Sequence, residues 1–169
     1  MHGGISPLMR SSKDIDKINR FEEPPMKGLF CDLLWSDPLD DKKARRKTFV
    51  DNAARQCSYE YGLAPVKHVL ESGNYNSILR AHQLKHDGYD AHRWGGANAW
   101  PTVVTLFSAP NYEQAGNKGA VLVLEDGKFN IKQFTEVKNK PYHLPRMVST
   151  DPELDVMQWA MPFLLSKVT

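Results

Sequence analysis

The chemistry open to this chain rests on a small set of side chains. Six histidines occur: His2, His68, His82, His86, His92 and His143. Imidazole both titrates near neutral pH and ligates metals, so each bears on function. His68 falls within a helical pattern and reads as a surface residue. His86, His92 and His143 stand in polar, turn-rich surroundings and read as surface groups. His2 and His82 differ from these. His2 precedes Gly3-Gly4, which let backbone come close to a ligand or metal. His82 follows a buried-looking strand over 77–81, and strand ends are where functional side chains collect. Spacing alone leaves both as single histidines, a weak signal for a ligand.

An arginine and a turn complete the set. Arg55 lies among small residues, between Ala53-Ala54 and Gln56-Cys57-Ser58. Its planar fork suits two oxygens of a phosphate; a salt bridge to Asp51 or Glu60 is the plainer alternative. Ser108-Ala109-Pro110-Asn111-Tyr112 makes a rigid turn that aims Asn111 and Tyr112 above a sheet edge, unless it is an ordinary strand exit.

These side chains need elements to hold them. Residues 14–21 predict a short helix, stopped by Pro24-Pro25. The apolar run 29–35 reads as a strand or buried turn feeding a loop, and 39–54 as a solvated, charge-rich segment. Val66, Val69 and Leu70 share one helical face, with Pro65 at the first turn and Gly73 at the stop. Strands are expected over 76–81 and 102–107. The runs 120–124 and 129–134 flank Asp126-Gly127, a strong hairpin signal. Asp151-Pro152 opens a further helical pattern in the tail. Strands mixed with helices give an α/β (α+β) class with sheets at the centre.

Composition narrows the classes. The chain has 169 residues, 41% hydrophobic and 25% charged, a soluble globular profile rather than a disordered one. A net charge of +2 gives no reason to expect a nucleic acid partner. Two cysteines, Cys31 and Cys57, make no disulfide framework; reduced thiols and a cytoplasmic location are the expectation. No apolar run is long enough for a membrane-spanning helix.

Four segments then come together in order: His2-Gly3-Gly4-Ile5-Ser6-Pro7, Cys31-Asp32-Leu33-Leu34-Trp35-Ser36-Asp37-Pro38, Arg80-Ala81-His82 and Ser108-Ala109-Pro110-Asn111-Tyr112. Over about 110 residues they resemble the C-terminal half of the catalytic domain of phosphoprotein Ser/Thr phosphatases, and within that family the calcineurin type. Arg20-Phe21-Glu22-Glu23-Pro24-Pro25, Asn130-Ile131-Lys132-Gln133-Phe134, Pro141-Tyr142-His143-Leu144-Pro145 and Trp159-Ala160-Met161-Pro162-Phe163 extend the likeness along nearly the whole chain.

The resemblance implies part of a calcineurin-like metallophosphoesterase β-sandwich flanked by helices. It implies a dinuclear metal centre, iron with zinc or manganese, whose bridging hydroxide attacks a phosphoserine or phosphothreonine ester. His2 and His82 would be ligands of one metal, Arg55 a phosphate clamp, and Tyr112 a border of the substrate phosphate. Asp37, with Trp35 and Asn111, would support the site. Asn130, Ile131 and Lys132 match an edge strand that accepts extended peptides, with Lys132 where the family carries Arg. Tyr142, Trp159 and Phe163 would form a second peptide groove, unless Trp159 and Phe163 are simply a packed helix face.

The family's other ligand motifs, Gly-Asp-x-His-Gly, Gly-Asp-x-Val-Asp-Arg-Gly and Gly-Asn-His-Glu, have no counterpart here. The chain is therefore expected to be a partial gene product, inactive alone and prone to oligomerise. The other reading is a peptide-docking module or pseudophosphatase. Full-length relatives of this type imply phosphoprotein substrates, a calcineurin B-like regulatory subunit and calmodulin, whose binding segments are expected to lie outside this chain.

Overall fold

Gly28, with its positive φ of 96°, opens the first turn of a helix over Leu29–Trp35 (α2). The Asp32 amide donates to the Gly28 carbonyl and the Ser36 amide to that of Asp32. The strand or turn expected there is thus a helix. Its seven residues contain no β-branched side chain, and short apolar runs do not distinguish the two states by pattern. The computed structural model describes residues 1–94, 96 and 100–138. Met1–Glu136 form one compact unit and Val137–Thr169 a second.

Within the first unit, α1 covers Lys13–Asp16, shorter than the helix expected over 14–21. A parallel pair joins β1 (Asp37–Pro38) to β3 (Tyr59–Tyr61), and β2 (Phe49–Asp51) runs antiparallel to β3. The short helix α3 (Asp41–Ala44) lies between β1 and β2, capped by the Asp40 carboxylate. Far from being wholly solvated, the stretch 39–54 buries Leu39, Ala44 and Asn52. Its charges point outward while single apolar side chains anchor it.

The second sheet has the order β4-β6-β5, from Ile78–Arg80, Val103–Leu106 and Tyr89–His92. β4 is parallel to β6, with Arg80 opposite Thr105, so both strands leave the sheet at the same end. β5 returns antiparallel on β6 and places His92 opposite Val103. That pairing corrects the surface reading of His92, which is buried against Trp94 with ring centroids 5.4 Å apart. His68 and His86 are exposed as expected; His143 lies outside the described residues.

Helix α4 (Leu63–Gly73) buries Val66, Val69 and Leu70 as the periodicity requires, and Asn74 ends it in the left-handed region. Its first residue is two positions before Pro65. A Cβ at Gly73 would sit 2.0 Å from the Tyr75 ring, so a side chain there would displace that ring. The hairpin of β7 (Gly119–Glu125) and β8 (Lys128–Phe134) turns through Asp126 and Gly127, both at positive φ, as a two-residue turn demands. The core gathers Ile5, Leu33, Leu39, Tyr61, Val66, Ile78, Trp94 and Val103 from these layers. Among the described residues, no helix is long and apolar enough to cross a membrane. The helical pattern after Asp151 falls outside the described residues.

Candidate metal and phosphate site

Residues 1–3 run beside the outgoing end of β4. The Ala81 amide donates to the His2 carbonyl at 2.9 Å, and the Gly3 amide to the Leu33 carbonyl at 2.8 Å. A Cβ at Gly3 would meet the backbone of Leu34 and Trp35 at 2.6–2.8 Å, and one at Gly4 the Tyr61 ring at 2.1 Å. The two glycines therefore allow close approach to α2 and to Tyr61. The result is that His2 is fixed against the strand end that carries His82.

His82 holds a left-handed φ of 66°, a conformation that non-glycine residues adopt at a cost of about 1–3 kcal/mol and that gathers at functional sites. Its ring packs edge-on against Trp35, with centroids 5.1 Å apart. His2 Nε2 faces His82 Nδ1 at 3.1 Å. Burial first, then the nearby Arg55 guanidinium, lowers His82 to about 4. Burial, Arg80 and the terminal amine likewise lower His2. Both rings are therefore neutral at pH 7, and neutral imidazole is the form that ligates.

Two imidazole nitrogens that share one ion at about 2.0–2.1 Å each stand about 3 Å apart, which this pair matches. Among the described residues the buried Nε2 of His82 has no hydrogen-bond partner, so no neighbour there fixes which ring nitrogen carries the proton. The donor set thus fits two positions on one metal ion. Among the described residues no group of three or more His, Cys, Asp or Glu gathers to hold one.

Beside the pair lies a shared carboxylate. Asp37 Oδ1 accepts from Arg80 Nη2 at 2.8 Å, and Oδ2 accepts from Asn52 Nδ2 at 3.0 Å and Arg55 Nε at 3.1 Å. The Arg55 contact corrects the alternative of a bridge to Asp51 or Glu60. Arg80 is wholly buried; it also donates to the carbonyls of Gly3 and Ser36 and to Gln83. One guanidinium thereby ties the residue after His2, the start of β1 and the turn after His82. Arg55 keeps its side chain 30% exposed, and its two terminal amino groups make no hydrogen bond among the described residues, leaving them for anion oxygens.

Burial pushes the Asp37 carboxyl up, but Asn52, Arg55 and Arg80 outweigh it and hold it below the usual carboxylate range. Its contribution to stability is therefore full above the ordinary carboxylate pKa of about 3.9. It is lost as pH falls from there through the lower folded value. Asp37→Asn is expected to remove that part of the acid limb in a stability-versus-pH series. An acid limb identical to the parent's would show that Asp37 titrates normally.

Arg80 and Asn52 were not evident as site residues from the sequence. The available signal was the inward register of Arg80, which shares the buried face of β4 with Ile78; a charge at such a position needs a partner.

The turn after β6 reaches the same sheet end as His82, yet its side chains do not join the pair. Tyr112 is exposed and packs edge-on against Phe107 at 5.4 Å. Asn111 Nδ2 donates to Glu136 Oε2 at 2.7 Å. Buried Asn117 organises the turn, donating to the Ala109 and Lys118 carbonyls and accepting from the Tyr112 amide. On the hairpin, Asn130 and Lys132 are exposed and Ile131 half-buried, and among the described residues β8 pairs only with β7. Tyr142, Trp159 and Phe163 lie outside the described residues.

Known protein phosphatases are similar to this chain. The chain is 38% identical, over its whole length, to serine/threonine-protein phosphatase 2B catalytic subunit A1 of Saccharomyces cerevisiae, 31% of which it covers. It is 40% identical over 83% of its length to the serine/threonine-protein phosphatase 4 catalytic subunit of the same yeast, covering 43% of that protein. A solved structure of an S. cerevisiae protein serine/threonine phosphatase with similarity to human phosphatase PP5 superposes with a TM-score of 0.64 at 28% identity. That match takes in 83% of this chain and 45% of the other. The chain spans about a third of the length of the phosphatase 2B subunit. A family model for calcineurin-like phosphoesterases matches residues 1–86, the stretch that holds His2, Asp37, Arg55, Arg80 and His82, and the chain belongs to that family.

Proposed function

We propose that this chain is the C-terminal part of the catalytic domain of a metal-dependent protein Ser/Thr phosphatase of the calcineurin type. The observation that carries the reading is the facing pair of neutral imidazoles, 3.1 Å apart, beside an arginine with unengaged terminal amino groups. His2 and His82 would hold one ion of a dinuclear centre, iron with zinc or manganese. Such an ion, when bound, supplies Lewis acidity at a phosphoryl oxygen.

The chain's own residues do the rest. The terminal amino groups of Arg55 bind two phosphoryl oxygens and fix their orientation. Asp37 holds the Arg55 fork through Nε, so the clamp is set before the anion arrives. Burial and the two arginines keep the imidazoles deprotonated. Tyr112, at the same sheet end, borders the phosphoester, with Trp35 packed on His82 and Asn111 bracing the turn through Glu136. Phosphoserine and phosphothreonine proteins are the substrates of this reading. The longer protein would work in the cytoplasm with a calcineurin B-like subunit and calmodulin.

The outer edge of β8, which has no neighbouring strand among the described residues, favours a second role alongside catalysis. Asn130, Ile131 and Lys132 lie on that edge, where an extended peptide can add a strand.

The test is a phosphopeptide assay with metal analysis on two polypeptides. The 169 residues alone are expected to give no turnover above background. A longer form that also carries the Gly-Asp-x-His-Gly, Gly-Asp-x-Val-Asp-Arg-Gly and Gly-Asn-His-Glu segments is expected to load metal and hydrolyse. Turnover by the 169 residues at the longer form's rate would overturn the partial-site reading. Metal loading without hydrolysis in the longer form would overturn the phosphatase one.

A further inference from the structure

A metal-ligating histidine is ordinarily aimed by a hydrogen bond from its second ring nitrogen to a carboxylate or carbonyl. His82 lacks that support, since its buried Nε2 has no partner among the described residues. The Trp35 ring packs edge-on against it, with centroids 5.1 Å apart, and a ring contact sets no hydrogen-bond direction. The aim of Nδ1 therefore depends on the backbone that carries the ring.

That backbone is a three-residue turn. The Gln83 amide donates to the Ala81 carbonyl at 2.8 Å, across His82 at φ 66°. A turn closed in this way, with positive φ at its centre, is the rare and strained form. Such a conformation persists only where its surroundings hold it. On the entry side the hold is β4, with the Ala81 amide on the His2 carbonyl at 2.9 Å. On the exit side it is a side chain. Gln83 is half-buried and folds back so that its Oε1 accepts from Arg80 Nη1 at 2.9 Å. The other nitrogens of that guanidinium are tied to the Gly3 and Ser36 carbonyls and to Asp37, so the anchor is itself fixed. Past Gln83, Leu84 is exposed, and the next side-chain tie is Lys85 Nζ on Asp90 at 2.7 Å. One guanidinium thus sets both Gly3, next to His2, and Gln83, next to His82.

We propose that Gln83 is a positioning residue for metal capture, its side-chain oxygen locking the strained turn that presents His82 Nδ1 to an ion shared with His2. Without that oxygen the turn relaxes, the His82 ring leaves Trp35, and the 3.1 Å facing of the two imidazoles is lost. The lock stands on the turn and the Arg80 contact; its consequence for metal rests on the proposed function. Gln83→Leu removes the acceptor at similar bulk. Gln83→Glu keeps an acceptor oxygen in the same place and is expected to restore the lock.

The experiment follows histidine side-chain resonances of the full chain, first without metal and then during a zinc titration. Without metal, the parent and Gln83→Glu are expected to show the His82 ring shifted by the Trp35 indole and in through-space contact with it. In Gln83→Leu that shift and contact are expected to vanish. With zinc, Gln83→Leu is expected to weaken binding at the His2–His82 pair by about 10–100-fold, the range for losing a group that orients a ligand. Gln83→Glu should bind nearly as the parent does. Val69→Ala, which loosens the core under α4, should lower the urea midpoint and leave the zinc response alone. An intact Trp35 contact in Gln83→Leu would overturn the lock. Equal zinc affinity in Gln83→Leu and parent, no recovery in Gln83→Glu, or an equal loss in Val69→Ala would overturn the positioning role. A parent pair that ignores zinc would overturn the proposed function and the metal role with it, while the metal-free contact still decides the lock.

Discussion

Arg80→Met is expected to destabilise the chain by about 3–5 kcal/mol, the range for removing one member of a buried ion pair. The side chain of Arg80 is fully buried and that of Asp37 only 5% exposed. Truncating the guanidinium strands one carboxylate oxygen and removes the donor from the Gly3 and Ser36 carbonyls. Left buried without a partner, such groups lose water without compensation. Urea unfolding reads the effect as a lower midpoint at unchanged slope. Combined with Asp37→Leu, the loss should fall well short of the two single losses added together, because one interaction is removed in both. A loss below about 1 kcal/mol, the ordinary range of substitutions, would show that the pair does not anchor these three segments.

The largest effect on chemistry is expected at Arg55. In the longer, metal-loading form, Arg55→Ala should lower turnover by about 10²–10³-fold, the range for deleting one preorganised donor to developing charge. Arg55→Lys should recover only part, since an ammonium restores the charge but not the two-pronged geometry. Arg55 also braces Asp37 through Nε, so urea unfolding of each variant separates lost clamping from lost structure. Full turnover in Arg55→Ala would place the phosphate elsewhere.

Legibility in the sequence followed the strength of each local signal. The β7–β8 hairpin was plain because Asp126-Gly127 supplies two residues that accept positive φ. The α4 face was plain because Val66, Val69 and Leu70 recur at helical spacing. Helix α2 was hidden, since a seven-residue apolar run carries no period long enough to read. His92 looked solvated because its neighbours in sequence are polar, whereas its burial comes from β6 and Trp94. For the site, the motifs were visible and their convergence was not. Nothing in the spacing of His2 and His82 tells that the chain's first residues hydrogen-bond beside β4. The role of a charged residue inside a strand, such as Arg80, is legible only once its buried partner is known.

The convergence of His2 and His82 is best tested by following histidine side-chain resonances while zinc is titrated into the chain. Exposed His68 and His86 serve as internal references. The account predicts that His2 and His82 shift together and saturate at one equivalent, before either reference moves, and that His82→Ala abolishes the response at His2. Shifts at His2 and His82 no earlier than at the exposed pair, or an undiminished response at His2 in His82→Ala, would contradict it.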